Sequence, residues 1–137
     1  MFQEAKKNYL GIDWGASDVG VALAHEETGV AVAYETLRND KNLLEKLGEI
    51  IAREDIGVVV IGIPSHVNRT QVEYAGEKLG KALGELFFVE VVYQNEMFTT
   101  KLAQQNLIHR GVKQVSLHDD EEAAKLILEG WLEKRRK

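Results

Sequence analysis

The chain has 137 residues, of which 45% are hydrophobic and 28% charged, with no cysteine and a formal net charge of −5. That length predicts one domain over residues 1–137, with the composition of an ordinary globular protein. The cysteine count excludes disulfides and thiolate metal sites. No apolar run reaches the roughly 18 residues of a membrane span, and the polar N-terminus lacks a signal peptide's apolar segment. The expectation is a cytoplasmic protein with no membrane partner. The acidic balance argues against binding nucleic acid through overall charge, unless the acids cluster at a metal and the bases lie elsewhere.

In chain order, Tyr9 to Trp14 and Gly20 to His25 read as strands joined by a Gly/Ser/Asp turn, and Gly29 to Thr36 as a third strand. The three predict an antiparallel meander. Leu43, Leu47, Ile50 and Ile51 recur at helical spacing, so Lys41 to Arg53 reads as an amphipathic helix. Gly57 to Ile63, rich in Val and Ile, has the pattern of a strand buried on both faces, as in parallel sheets. Pro64 stops it. Thr70 with Glu73 has the form of a capping box, and Val72, Ala75, Leu79, Leu83 and Leu86 trace the buried face of a second helix. Phe87 to Tyr93 reads as the fifth strand. A third helix is predicted from about Thr99 to before Gly111, and a fourth from Asp119 to Lys134. The order β-β-β-α-β-α-β-α-α predicts an α/β fold with a mixed five-stranded sheet and helices on both faces.

Three acids fall at the ends of elements. Asp13 closes the first strand, Glu96 follows the fifth, and Asp120 opens the last helix. Loops beyond the carboxyl ends of parallel strands share one crevice, which Asp13 and Glu96 would face. Asp120 is in helical phase with Ala124, Ile127 and Trp131, on the buried face of its helix. Three such carboxylates repel one another unless a cation neutralises them, and hard oxygen donors select Mg²⁺ or Mn²⁺. Each acid also has a plainer role: Asp13 in a turn, Glu96 and Asp120 as first-turn acids complementing a helix dipole. Asp119 with Glu122 forms a second candidate capping box. The C-terminal Lys134-Arg135-Arg136-Lys137 reads as a solvated helix end, with phosphate contact as the alternative.

Several motifs bear on the choice. Gly11-Ile12-Asp13-Trp14-Gly15 with Gly20-Val21-Ala22, Val60-Ile61-Gly62-Ile63-Pro64, Glu96-Met97-Phe98-Thr99-Thr100 and Asp120-Glu121-Glu122-Ala123-Ala124 occur in that order. Together they resemble the YqgF/RuvX family of Holliday-junction resolvases, from about Tyr9 to Leu132. The resemblance implies an RNase H-like fold and a metal-dependent endonuclease. Its acids would be Asp13, Glu96 and Asp120, its cofactor Mg²⁺ or Mn²⁺, and its substrate branched DNA or precursor ribosomal RNA. Arg69, Thr99, Thr100 and Lys101 are the candidate substrate contacts, and a branched substrate implies a homodimer. The chain departs from the family pattern at Asp18 and Met97, where two phosphate-binding cations are missing, at Asn95, where an acid is missing, and at Asn68-Arg69, where Arg69 is gained. Those departures motivate the alternative of a non-catalytic module on the same fold that binds ribosomal RNA or a protein.

Overall fold

A computed structural model describes residues 8–63, 75–95 and 120–136. Five strands form one sheet: β1 (Asn8–Asp13), β2 (Asp18–Ala24), β3 (Ala31–Arg38), β4 (Ile56–Ile63) and β5 (Glu90–Asn95). Three helices accompany it: α1 (Leu43–Arg53), α2 (Ala75–Phe87) and α3 (Asp120–Arg136). The sheet order is β3-β2-β1-β4-β5. β1–β2 and β2–β3 pair antiparallel, whereas β1–β4 and β4–β5 pair parallel. The predicted meander and mixed sheet are both present.

The period-two alternation of the strands divides the core. Leu10, Ile12, Val19, Val21, Val59 and Ile61 point to one face, where Leu47, Ile50 and Ile51 of α1 and Leu79 and Leu83 of α2 cover them. Tyr9, Ala22, Ala24 and Val60 point to the other, beneath Ala124, Ile127, Leu128 and Leu132 of α3. Small residues dominate the sheet side of this second layer, so α3 lies almost on the strand backbones. A Cβ built on Gly11 would come within 2.8 Å of Leu128 Cβ and 2.9 Å of the Ala124 carbonyl oxygen.

Element boundaries differ from the sequence reading where hydrogen bonds in turns override pattern. Gly29, predicted to open β3, has φ 64° and donates its N–H to the His25 carbonyl at 2.9 Å, so it closes a turn instead. β2 starts earlier than predicted because Asp18 pairs with Arg38, and the Asn39 N–H extends the contact to the Ser17 carbonyl at 2.9 Å. α1 starts at Leu43 rather than Lys41, since Asp40 holds the preceding turn by accepting from the Asn42 N–H at 2.9 Å. The largest shift is in β5, predicted from Phe87. That residue is the last of α2, and Phe88 ends the helix with φ 56° and an N–H bond to the Gly84 carbonyl at 3.2 Å. The strand therefore begins at Glu90, in register with Val58 of β4.

The predicted Thr70/Glu73 and Asp119/Glu122 capping boxes and the helix from about Thr99 fall wholly or partly outside the described residues. No helix among the described residues is long and apolar enough to cross a membrane.

Candidate active site

Asp13 ends β1, the central strand, and its neighbours in the sheet decide its surroundings. Asp13 pairs with Gly20 on β2 and with Gly62 on β4. Gly20 in turn pairs with Thr36 on β3, and Gly62 with Gln94 on β5. One row thus crosses all five strands as Thr36, Gly20, Asp13, Gly62, Gln94. Tyr9 and Gly11 of β1 face α3, so alternation turns Asp13 to the same side. A carboxylate flanked by two glycines has no neighbouring side chain in its row to crowd it.

The space above Gly20 is taken by the start of α3. A Cβ on Gly20 would collide with the main-chain carbonyl of Asp120 and approach the Glu121 nitrogen at 2.9 Å. The first turn of α3 therefore sits on the strand position next to Asp13. Asp13 and Asp120 are both partly buried. The first turn carries Asp120, Glu121 and Glu122, acids that complement the positive end of the helix dipole. Glu122 also lies 3.8 Å from Lys125, which reaches Glu129 at 3.9 Å on the same flank. The buried stripe of Ala123, Ala124, Ile127 and Leu128 continues from Asp120, as the helical phase of the sequence predicted.

The β1–β2 turn beside the acids is tied down from β3. Asn39 donates its side-chain N–H to the Gly15 carbonyl at 2.7 Å. Gly15 is required there because a Cβ would strike the Asp18 carbonyl. Asp18, a departure from the family pattern, is the first residue of β2 and pairs with Arg38.

The structure brings together two of the three acids singled out from the sequence. Glu96 follows β5 in the chain and lies outside the described residues, as do Arg69, Met97, Thr99, Thr100 and Lys101. Among the described residues no group of three metal-ligating side chains occurs. Sequence reasoning missed the row itself, including Thr36, whose Oγ1 is buried without a hydrogen-bond partner among the described residues, and Gln94, a buried polar residue. The run Gly20, Ala22, Ala24, small at every second position, was the available signal that a helix would press on β2.

An antiparallel meander followed by two parallel strands, with helices on both faces and an acid at the end of the central strand, defines the RNase H-like class. Solved structures agree on the fold. RuvC from T. thermophilus in complex with a Holliday junction substrate superposes with a TM-score of 0.60 at 16% identity, over 94% of this chain and 96% of that one. The fowlpox virus resolvase in complex with Holliday junction DNA gives 0.59 at 14% identity, over 95% and 99%. At the level of sequence, the profile described as RuvX, Holliday junction resolvase, matches residues 7–134. The chain belongs to that family. A Streptococcus uberis relative, named "Putative pre-16S rRNA nuclease", is 32% identical over 137 residues, covering 91% of this chain and 96% of its own. One from Agathobacter rectalis with the same name is 31% identical over 133 residues, covering 90% and 93%.

Proposed function

We propose that the chain is a divalent-metal-dependent endonuclease hydrolysing phosphodiester bonds in structured nucleic acid, either branched DNA or the 5′ end of precursor 16S ribosomal RNA. The observation that carries this reading is the seating of the first turn of α3 on Gly20, beside Asp13. This seating puts the backbone of Asp120 next to the strand position of Asp13 at one rim of the sheet. Family membership and the names of the relatives support the same activity.

The donor set fits the metal: carboxylate oxygens, no sulfur, and like charges whose repulsion a cation relieves. Asp13 and Asp120, with Glu96 as the third acid, would hold Mg²⁺ or Mn²⁺. Bound there, such an ion supplies an activated water and stabilises the leaving oxygen of the cleaved bond. Asp13 contributes a carboxylate fixed to the central strand. Asp120 contributes one whose backbone position is set by contact with Gly20. The N-terminal end of α3 adds a positive dipole that favours an approaching phosphate. Arg69, Thr99, Thr100 and Lys101 are the proposed substrate contacts, and a two-fold branched substrate calls for a homodimer with two such sites.

The test is cleavage of labelled four-way DNA junctions and of structured precursor ribosomal RNA, each with Mg²⁺, Mn²⁺ or EDTA. Wild type is compared with Asp13→Asn. Cutting that needs the metal and disappears in the variant is the expected result. No cutting of either substrate by folded wild-type protein would replace this reading with the non-catalytic binding module.

A further inference from the structure

The cationic end of α3 plays no part in the proposed chemistry, yet the structure gives it a defined setting. Lys134 extends its ammonium to Gln94 Oε1 at 3.4 Å. Gln94 is only 8% exposed and belongs to the row that contains Asp13. Arg135 donates to the Tyr9 hydroxyl at 3.1 Å, with its guanidinium 5.3 Å from the Tyr9 ring centroid and 5.2 Å from that of Trp131. The two rings meet edge-on at 5.5 Å. Gln94, Trp131, Lys134 and Arg135 line an open pocket of about 490 Å³ between β5 and the last turns of α3, with Glu90 as the acid on its wall. Neither Lys134 nor Arg135 forms an ion pair among the described residues.

In a chain of net charge −5, two cations without carboxylate partners among the described residues, held by an amide and by aromatic rings, are positioned for an external anion. Arg135 uses one of its five donors on Tyr9 and keeps the rest. An ammonium and a guanidinium on one wall suit a phosphate, which accepts from both. The exposed side of an aromatic such as Trp131 suits a base on the same strand. Arg135 sits at Tyr9, at the opposite end of β1 from Asp13 and about 13 Å from it. The helix α3 carries the two cations about 21 Å along its axis from Asp120, so a nucleic-acid strand at the acids would reach this pocket after several nucleotides.

We infer that Lys134, Arg135 and Trp131 form a phosphodiester-binding subsite that grips the substrate strand at the far end of α3 from the acidic site. This rests on the nucleic-acid substrate of the proposed function, and it is tested without cleavage. Affinity for a labelled four-way junction is measured against salt, in EDTA, for wild type, Lys134→Gln and Lys134→Gln/Arg135→Gln. Each lost phosphate contact should lower the slope of log affinity against log salt by about 0.9, so the double variant should lose about 1.8. At fixed salt its affinity should fall at least ten-fold, and Arg135→Lys should restore part of it. Lys134→Gln removes only the one long, part-buried contact to Gln94, so its melting temperature should change little and its slope should still fall. An unchanged slope in both folded variants would overturn the subsite. So would polyglutamate displacing the junction as well as unlabelled DNA does, which would mark the pocket as a site for an acidic protein. Failure of the nuclease reading appears instead in the cleavage assay, which this measurement does not use.

Discussion

At the scale of single residues, the candidate site depends as much on missing side chains as on the acids. Gly20 is the clearest case, because any Cβ there meets the Asp120 carbonyl. Gly20→Ala should push the first turn of α3 away from Asp13, costing about 1–3 kcal/mol as an overpacking change. Urea unfolding would measure that loss, and cleavage should fall more than stability alone explains. Thr36, in the same row, makes the opposite case. Its Oγ1 is buried with no hydrogen-bond partner among the described residues, and an unsatisfied buried hydroxyl destabilises by about 1–3 kcal/mol. Thr36→Val keeps the shape and removes the polar atom, so it should raise stability by about 1 kcal/mol in the same unfolding measurement. A loss of activity in that variant would show that the hydroxyl serves the site. The glycines and Asp13 were legible in the sequence as a motif. The orphaned hydroxyl was not, because nothing in a β-rich stretch marks which threonine will be covered by a helix.

At the scale of elements, α3 carries one acid of the candidate site and closes one layer of the core. Leu128 is fully buried and packs over Gly11. Leu128→Ala should cost about 2–5 kcal/mol and, by loosening α3, should also slow cleavage under conditions where the protein remains folded. The junction of α2 and β5 is tuned differently. Phe88 is 90% exposed and left-handed, with φ 56°. A non-glycine residue there carries about 1–2 kcal/mol of strain, part of which glycine's larger unfolded-state entropy offsets. Phe88→Gly should therefore stabilise by about 0.5–1 kcal/mol, read from thermal unfolding. Helical spacing and the Val/Ile-rich β4 were readable because period alone identifies them. The start of β5 was not. Phe87, Phe88 and Val89 look like strand, but the helix runs through Phe87 once its ring can pack against Gly48 of α1.

At the scale of the whole molecule, the candidate site exists only when both ends of the chain have folded onto one sheet. β1 opens the described chain and α3 ends it, and the two pack together beside the parallel pair β1–β4. Chelation should abolish cleavage, and Mn²⁺ or Mg²⁺ should restore it. The metal should also raise the melting temperature of wild type more than that of Asp13→Asn, because an ion bound only to the folded state stabilises it by mass action. An equal rise in both proteins would argue against Asp13 as a ligand.

The sequence alone determined the α/β class and the order of elements along the described chain, and it singled out Asp13, Glu96 and Asp120 as candidate acids, because periodicity and motif spacing are local properties. The tertiary structure decided what lies beside what: the five-strand row centred on Asp13, the seating of Asp120 on Gly20, and the pairing of Lys134 with Gln94. Those contacts join residues far apart in the chain. They depend on strand register and on how closely a helix can approach a sheet, which packing resolves and local pattern does not.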